Sequence, residues 1–443
     1  MPTSNLKSYL CDKTKFLIMS ELIVPSLKSW VPVPKDSDFT IYNLPFGIFQ
    51  NKRLSPRAGI AIGDKIVDLA VLHEEGFFSD MTQLPHGVFQ KDTLNDFIAL
   101  GKPITKRVRE KVQDLLREEN GALRDHQSRG KAMVTRKEAQ MLLPVSIGDY
   151  TDFYSSLEHA TNVGTMFRDP DNALLPNWKH LPVGYHGRSS SIIPSGIPIH
   201  RPKGQYKDPN MENPEFGPSR RLDFELEMAF IVGKPTKMGD NVTTEDAEDY
   251  IFGMVLFNDW SARDIQAWEY VPLGPFLGKS FASSVSPWIV TLEALEPFRV
   301  AGPKQEPEVL PYLQCQKAHA FDINLEVYIQ PEGLKSTKVC TSNFKYMYWN
   351  IAQQLAHHTV NGCNINVGDM MASGTISGPT SDSFGSMLEL AWKGTKPITL
   401  EEGGERKFIE DGDTVIMKGF CEKAGIRVGF GEVESRVMPG KPG

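Results

Sequence analysis

D-F-E-L-E-M, at residues 223–228, alternates acidic with apolar residues at the period of a β-strand, so it places three carboxylates on one face. Residues 251–257 follow as an apolar run, I-F-G-M-V-L-F, which ends abruptly in Asn258, Asp259 and Trp260. Such a pattern is typical of a buried strand with a polar tip. Carboxylates packed together raise one another's pKa and need a compensating charge. This stretch therefore predicts strands around a site for a hard divalent metal ion.

The composition is that of an ordinary globular protein. The chain has 443 residues, of which 40% are hydrophobic and 23% are charged. This length indicates two or three domains, each able to bury a core. The net charge of -7 offers no basic surface for nucleic acid or an anionic membrane. No apolar run approaches the ~20 residues that cross a bilayer.

The cysteines and the N-terminus bear on the compartment. The five cysteines are widely spaced and form no C-x-x-C pair, so neither a disulfide framework nor a zinc ribbon is indicated. A reducing, intracellular setting fits best. Residues 1–27 lack arginine and a compact apolar segment, so they make a poor secretory signal and only a weak transit peptide. We predict a disordered extension over residues 1–29.

Most of the chain reads as strands with few helices. Residues 92–116 have helical periodicity that is broken at 101–103, and a second helix is predicted from about Asn343 to His358, ending at Asn361-Gly362. Turns are predicted at 411–413 and 429–431 between the last strands.

A further helix is predicted from Ser261, because Ser261 and Asp264 have the spacing of a capping box. Arg263, Gln266 and Tyr270 then share one face, which suits an anionic, oxygen-rich ligand. The alternative is an amphipathic surface helix whose polar face meets water.

His159 is the best candidate for a general base. Ser155 and Glu158 form a second capping-box pattern, which places His159 in the first turns of a helix, where the macrodipole helps to keep the imidazole neutral. Asp152, in the loop just before, would complete a metal site with Glu225, Glu227 and Asp259. The alternative is a structural histidine.

Three further segments are less specific on their own. Lys279 follows a glycine-rich loop and offers a point charge, but an ordinary loop lysine is the simpler reading. Glu389 is predicted on the polar face of an alternating strand over 386–392. The loop 373–378 carries hydroxyls that would suit a carboxylate.

Several other chemistries lack their motifs. The chain has no G-x-S-x-G elbow, no H-E-x-x-H zinc motif and no G-x-G-x-x-G after a strand. The chemistry that remains consistent with the sequence is that of a metal ion bound by oxygen ligands.

Long motifs resemble those of the fumarylacetoacetate hydrolase family. They are D-Y-T-D-F-Y-S-S-L-E-H-A-T-N-V-G-T-M-F-R at 149–168, N-W-K-H-L-P-V-G-Y-H-G-R at 177–188, and the segments 258–280 and 372–378. The resemblance covers about 31–438. It implies a mainly β (α+β) protein with an SH3-like β-barrel domain at 30–145, followed by a catalytic β-roll domain at 146–443.

The resemblance also implies the reaction and its setting. The family hydrolyses the carbon–carbon bond of 4-fumarylacetoacetate to fumarate and acetoacetate, in the last step of tyrosine and phenylalanine catabolism. A cytosolic homodimer that uses Ca²⁺ and Mg²⁺ is expected.

Roles for individual residues follow from the same resemblance. The Ca²⁺ ligands match Asp152, Glu225, Glu227 and Asp259, and the Mg²⁺ site matches Asp259, Lys279 and Ser283, where the family has threonine in place of Ser283. The catalytic groups match His159, Glu389, Arg263, Gln266 and Lys279. The substrate contacts match Tyr154, Arg168, Tyr185, Gln266, Tyr270 and Thr375.

Two rival interpretations stay open on the sequence. Related hydratases, isomerases and decarboxylases of keto acids share the Glu-x-Glu plus Asp ligands, so the metal does not separate them from a hydrolase. A non-catalytic protein that binds calcium or a carboxylate would need the acids but not a poised His159.

Overall fold

The computed structural model describes residues 27–168 and 170–442. The predicted extension over 1–29 lies outside the described residues except for residues 27–29. Leu27 and Ser29 already contact the N-terminal part of the fold, because Leu27 N donates to Tyr42 Oη (2.7 Å) and Ser29 forms a β-bridge with Arg117.

The N-terminal domain is built on an antiparallel sheet, and its core continues into side chains of the larger C-terminal part. Its strands, in spatial order, are Met133–Thr135, Lys65–Asp68, Arg57–Ile62, Phe46–Gln50 and Gln140–Leu142. Further contacts tie it to the rest of the chain: Asn43 Nδ2 donates to Gly429 O (2.6 Å), and Arg427 forms an ion pair with Asp38 (2.9 Å).

A larger C-terminal part carries a mixed central sheet. Its strands, in spatial order, are Gly184–His186, Tyr150–Phe153, Met370–Ala372, Leu226–Val232, Ile251–Asp259, Ser283–Val285 and Ile192–Pro194, with Val290–Thr291 also paired to Ile251–Asp259. Two of the pairings are parallel, Met370–Ala372 with Tyr150–Phe153 and Ser283–Val285 with Ile192–Pro194. The strand Ile251–Asp259 is buried along its whole length, as its apolar run predicts.

A second sheet of this part shares a core with the central sheet. Its strands are Thr337–Asn343, Asn324–Gln330, Thr414–Lys423, Ile426–Met438 and Ile199–His200. Short two-stranded pairs complete the β-structure: Lys203–Tyr206 with Glu215–Pro218, Leu222–Asp223 with Ser261–Ala262, Arg299–Val300 with Ala320–Phe321, and Ile398–Thr399 with Glu405–Arg406.

The helices are mostly short. The α-helices are Leu69–Glu74, Asn95–Ile98, Lys102–Leu116, Gly121–Arg124, Arg129–Ala132, Leu157–Phe167, Arg263–Glu269, Leu292–Leu295, Ile351–Thr359 and Met387–Leu390. The 3-10 turns are Val88–Gln90, Arg136–Glu138, Pro170–Asn172, Ser189–Ser191, Ala247–Tyr250, Glu296–Phe298, Pro311–Leu313, Phe344–Tyr346 and Ser381–Ser383. The mainly β prediction, with a smaller domain before a larger one, is confirmed. None of the described helices is long and apolar enough to cross a membrane.

Two predictions away from the candidate site differ from the structure. The helix expected from Asn343 begins at Ile351, because Asn343 still pairs in a strand and Asn350 forms the capping box with Gln353. Gly362 ends this segment with a φ of 86°, as predicted. The turn expected at 429–431 is wrong: these residues lie within the strand Ile426–Met438, beside a shift in its register with Thr414–Lys423.

Candidate metal and acid–base site

Carboxylates from separate segments of the chain converge at one end of the central sheet. One oxygen from each of Asp152, Glu225, Glu227 and Asp259 lies within 4.8 Å of the others, and all four side chains are buried. We call these residues the acid cluster. Asp152 is in the strand Tyr150–Phe153 and not in the predicted loop. The structure thus brings together the metal ligands that the sequence suggested.

The electrostatics of the acid cluster favour a cation. Burial, followed by the neighbouring carboxylates, raises the pKa of both Asp152 and Glu227. Burial also acts on Glu225, but Lys279 and Arg263 outweigh it and lower the pKa of this carboxyl. Among the described residues, Asp152 Oδ1 and Glu227 Oε1 are buried without a hydrogen-bond partner. An all-oxygen set with unsatisfied buried acceptors fits a hard divalent ion such as Ca²⁺.

Asp259 is the best-connected member of the acid cluster. Its Oδ2 accepts from Lys279 Nζ (2.8 Å) and Tyr185 Oη (3.2 Å), and its Oδ1 accepts from Ser283 Oγ (2.8 Å). Lys279 also forms an ion pair with Glu225. Burial alone would lower the pKa of Lys279, but the two carboxylates raise it overall, so the ammonium keeps its charge.

Backbone approaches Glu227 closely at a glycine. Gly374 N donates to Glu227 Oε2 (2.9 Å) at a φ of 78°, and a Cβ there would lie 2.3 Å from Phe153 O. Only glycine fits this position. The neighbouring Thr375 is 2% exposed, and its Oγ1 has no partner within the described part of the chain.

Asp223 does not join the acid cluster, contrary to the prediction of three carboxylates on one face. The strand is interrupted after Asp223 and resumes at Leu226. The Asp223 carboxylate instead accepts from Arg263 Nε (2.7 Å). Arg263 Nη2 in turn lies 2.7 Å from Glu225 Oε1, so this guanidinium bridges two buried acids.

His159 and Glu389 form a buried pair, with His159 Nδ1 2.7 Å from Glu389 Oε2. Ser156 caps the helix Leu157–Phe167, since its Oγ accepts from His159 N (3.2 Å). The cap is therefore one residue later than the predicted Ser155, whose Oγ accepts from Gln354. His159 does lie in the first turn, as predicted.

Glu389 lies in the helical turn Met387–Leu390, so its predicted strand is wrong. Ser386 Oγ accepts from Glu389 N (3.3 Å) and donates to Glu389 Oε2 (2.8 Å), which closes the turn. Ser377 and Asn162 also donate to the carboxylate, at 2.9 Å each. Burial acts to raise the pKa of Glu389, but His159 and these donors lower it overall.

The helix that carries Arg263 starts two residues later than predicted. Ser261 pairs in a strand, Arg263–Glu269 is helical, and the cap residue Ala262 makes no side-chain cap bond. Asp264 accepts from Ser219 Oγ (2.6 Å) instead of capping with Ser261. Arg263 Nη1 contacts Gln266 Oε1 (3.3 Å), so these two side chains do share a face.

The predicted substrate contacts are only partly gathered. The ring of Tyr154 lies edge-on to His159, with centroids 5.3 Å apart. Tyr185 reaches Asp259, as described above. Arg168 is exposed and donates to Ala173 O (2.6 Å), and Tyr270 is 51% exposed beyond the helix end.

Sequence reasoning missed the residues that hold Glu389. Ser377, Asn162 and Asp223 lie in segments that the sequence analysis singled out, but nothing in those segments links them to Glu389. Ser386, however, precedes Glu389 by three residues, which is the capping-box spacing. That signal was sufficient to predict a helical turn.

Comparison with known proteins gives a consistent result. The model for the fumarylacetoacetase N-terminal domain matches residues 42–144, and the model for the fumarylacetoacetate hydrolase C-terminal domain matches residues 150–438. The chain is 54% identical to fumarylacetoacetase of Homo sapiens over 414 residues, which cover 93% of this chain and 99% of that protein. It is 50% identical to fumarylacetoacetase of Arabidopsis thaliana over 419 residues, covering 94% and 99%.

A solved structure shares the fold. It is a fumarylacetoacetate hydrolase from Exiguobacterium antarcticum, with a TM-score of 0.52 at 17% identity, covering 89% of this chain and 99% of that one.

Proposed function

Because the chain belongs to the fumarylacetoacetate hydrolase family, we propose that it hydrolyses the carbon–carbon bond of 4-fumarylacetoacetate to fumarate and acetoacetate. This is the last step of tyrosine and phenylalanine catabolism. The observation that carries the proposal is the buried His159–Glu389 pair beside the acid cluster.

The pair is arranged to take a proton from water. The pKa of Glu389 is lowered by its donors, and we assign the tautomer in which His159 Nδ1–H donates to this carboxylate and the lone pair is on Nε2. His159 Nε2 then removes a proton from water, and Glu389 stabilises the imidazolium. The hydroxide adds to the substrate carbonyl, the carbon–carbon bond breaks, and the acetoacetate carbanion leaves and takes up a proton.

The cationic groups stabilise the charge that develops. Lys279 is buried, the Arg263 side chain is 9% exposed, and Gln266 lies beside Arg263. Fixed donors of this kind lower the energy of an oxyanion or carbanion in a site that excludes water. Tyr154, Arg168, Tyr185, Tyr270 and Thr375 are the side chains proposed to hold the substrate.

The acid cluster is proposed to hold Ca²⁺ through Asp152, Glu225, Glu227 and Asp259. A divalent ion bound there would supply Lewis-acid polarisation of the substrate carbonyl. The second predicted ion, Mg²⁺, would lie at Asp259 beside Lys279 and Ser283, whose side chains meet at that carboxylate. A cytosolic homodimer is proposed on family membership.

The decisive experiment follows the loss of diketone absorbance from fumarylacetoacetate. Purified protein is assayed as isolated, after chelation, and after Ca²⁺ or Mg²⁺ is added back singly. We expect loss of absorbance with release of fumarate, its removal by chelation, and its return with Ca²⁺. An inactive wild type under every condition would reject this function and favour a keto-acid hydratase, isomerase or decarboxylase.

A further inference from the structure

Asp223 is fully buried beside the acid cluster but takes part in different contacts. Its short strand Leu222–Asp223 pairs with Ser261–Ala262, immediately before the helix that carries Arg263. None of the roles assigned above uses this carboxylate.

The two oxygens of Asp223 are satisfied by two separate elements. Oδ2 accepts from Arg263 Nε (2.7 Å) and from Leu388 N (3.0 Å), and Oδ1 accepts from Met387 N (2.7 Å). Met387 and Leu388 begin the turn whose next residue is Glu389. One carboxylate therefore fastens the Arg263 side chain to the backbone of the Glu389 turn. Hydrogen bonds with an ionised partner are about twice as strong as neutral ones.

Each end of this link continues into the site. Arg263 Nη2 reaches Glu225 of the acid cluster (2.7 Å), and Glu389 reaches His159 (2.7 Å). The link thus spans from the acid cluster to the general base. Backbone contacts run alongside it, since Leu226 N donates to Gly385 O (2.8 Å), but they leave the guanidinium free to turn.

Resting on the hydrolase function proposed above, we propose that Asp223 is a positioning residue that fixes Arg263 and Glu389 at the separation the reaction requires. Without the carboxylate, Arg263 loses its Nε partner and the N–H groups of Met387 and Leu388 lose their acceptor. Small displacements of catalytic groups are costly, about 10²-fold in rate for about 1 Å.

The test compares Asp223→Asn with a matched control, Asp68→Asn. Asp68 is also fully buried and accepts from two backbone N–H groups, Ala70 N (2.9 Å) and Val71 N (3.2 Å), and from Arg57 (3.3 Å). It lies in the N-terminal sheet. Both substitutions put an amide where a carboxylate accepted, so both should lower the Tm.

Only Asp223→Asn should alter turnover. We expect kcat per folded chain to fall about 10- to 100-fold with KM within about threefold of the wild type. The folded fraction is counted from the stoichiometry of Ca²⁺ binding by calorimetry. Equal kcat per folded chain in the two variants would overturn the positioning role.

A second variant, Asp223→Ala, leaves room for a small carboxylate. Sodium formate should raise its kcat relative to sodium chloride at equal ionic strength, and it should not affect Asp68→Ala. A kcat that ignores formate would count against Asp223. An inactive wild type in the same assay would instead reject the proposed function itself.

Discussion

Residues 27–168 and 170–442 contain two buried histidine–glutamate pairs of the same geometry, in different surroundings. In both, the imidazole Nδ1 lies 2.7 Å from a glutamate Oε: His159 with Glu389, and His319 with Glu248. Glu389 is otherwise held by the neutral donors Ser377, Ser386 and Asn162. Glu248 is shared with the cations Arg299 (2.8 Å) and Lys317 (3.3 Å).

The outer nitrogens of the two imidazoles also differ in their setting. The His319 side chain is 0% exposed, and within the described residues its Nε2 has no hydrogen-bond partner. The His159 side chain is 4% exposed and borders Tyr154 and the acid cluster. A His–Glu pair is therefore not a base by geometry alone, because the imidazole must also reach a reactant while its carboxylate stays free of competing cations.

The largest difference between the two pairs is expected in kcat when each histidine is replaced separately by alanine. His159→Ala should lower kcat by about 10²–10⁴-fold, the usual contribution of a general base, with substrate binding within a few fold. His319→Ala should leave kcat per folded chain near the wild-type value and lower the Tm. Steady-state kinetics measure kcat, and thermal melts measure the Tm. An equal loss of kcat per folded chain in His319→Ala would contradict the different roles of the two pairs.

The second largest effect is expected from a substitution in the acid cluster, which accompanies the His159–Glu389 pair but not the His319–Glu248 pair. Asp259→Ala removes one of the four converging carboxylates and the partner of Lys279, Tyr185 and Ser283. We expect at least about 100-fold weaker Ca²⁺ binding, since even residues that only support metal ligands contribute 10- to 100-fold. Calorimetric titration measures the loss, with Glu248→Gln as the control carboxylate. Wild-type affinity in Asp259→Ala would place the metal elsewhere.

Removing a neutral partner of Glu389 should have a smaller effect. Ser377 Oγ lies 2.9 Å from both oxygens of Glu389, so Ser377→Ala removes one of the donors that orient the carboxylate. We expect kcat to fall about 10-fold, at the lower end for a residue that orients a catalytic one. Lys317→Ala, which removes a cation from Glu248, is the counterpart and should leave kcat unchanged. Similar rates for the two variants would show that the neutral donors are dispensable.

The smallest effect is expected on stability, from Glu248→Gln. Burial acts to raise the pKa of Glu248, but hydrogen bonds from His319 and Arg299 lower it below the ordinary value of 4.5. A carboxyl whose pKa is lower in the folded than in the unfolded chain stabilises the fold at pH values above its unfolded pKa. This contribution is lost as the pH falls towards the folded-state pKa. The Tm of Glu248→Gln should thus lie ~2–4 °C below wild type at neutral pH, with the gap closing below about pH 4. A gap independent of pH would contradict the ionic role of Glu248.

The sequence predicted the acid cluster better than the turn that carries Glu389. Glu225, Glu227 and Asp259 follow from strand periodicity and from the end of an apolar run, which are local signals. Asp223 shares that periodicity, but its carboxylate accepts hydrogen bonds from Arg263, Met387 N and Leu388 N and does not join the acid cluster. Which carboxylate pairs with a cation depends on contacts between distant segments, and the alternation of residues 223–228 does not encode them.

The strand predicted around Glu389 is wrong because residues 386–392 carry two competing patterns. Residues 386–392 alternate as a strand would, but the Ser386 cap and the Asp223 carboxylate together satisfy the free N–H groups of a helical turn. Asn350 likewise starts its helix later than periodicity suggests. Capping hydrogen bonds fixed both boundaries.

The span between His159 and Glu389 has a consequence for biosynthesis. The two residues are 230 positions apart, and Asp152 lies on a strand that pairs in parallel with Met370–Ala372. Contacts of such long range form late and slowly. A ribosome must translate through residue 389 before the His159–Glu389 pair can form, so every chain that terminates upstream of that codon lacks the pair.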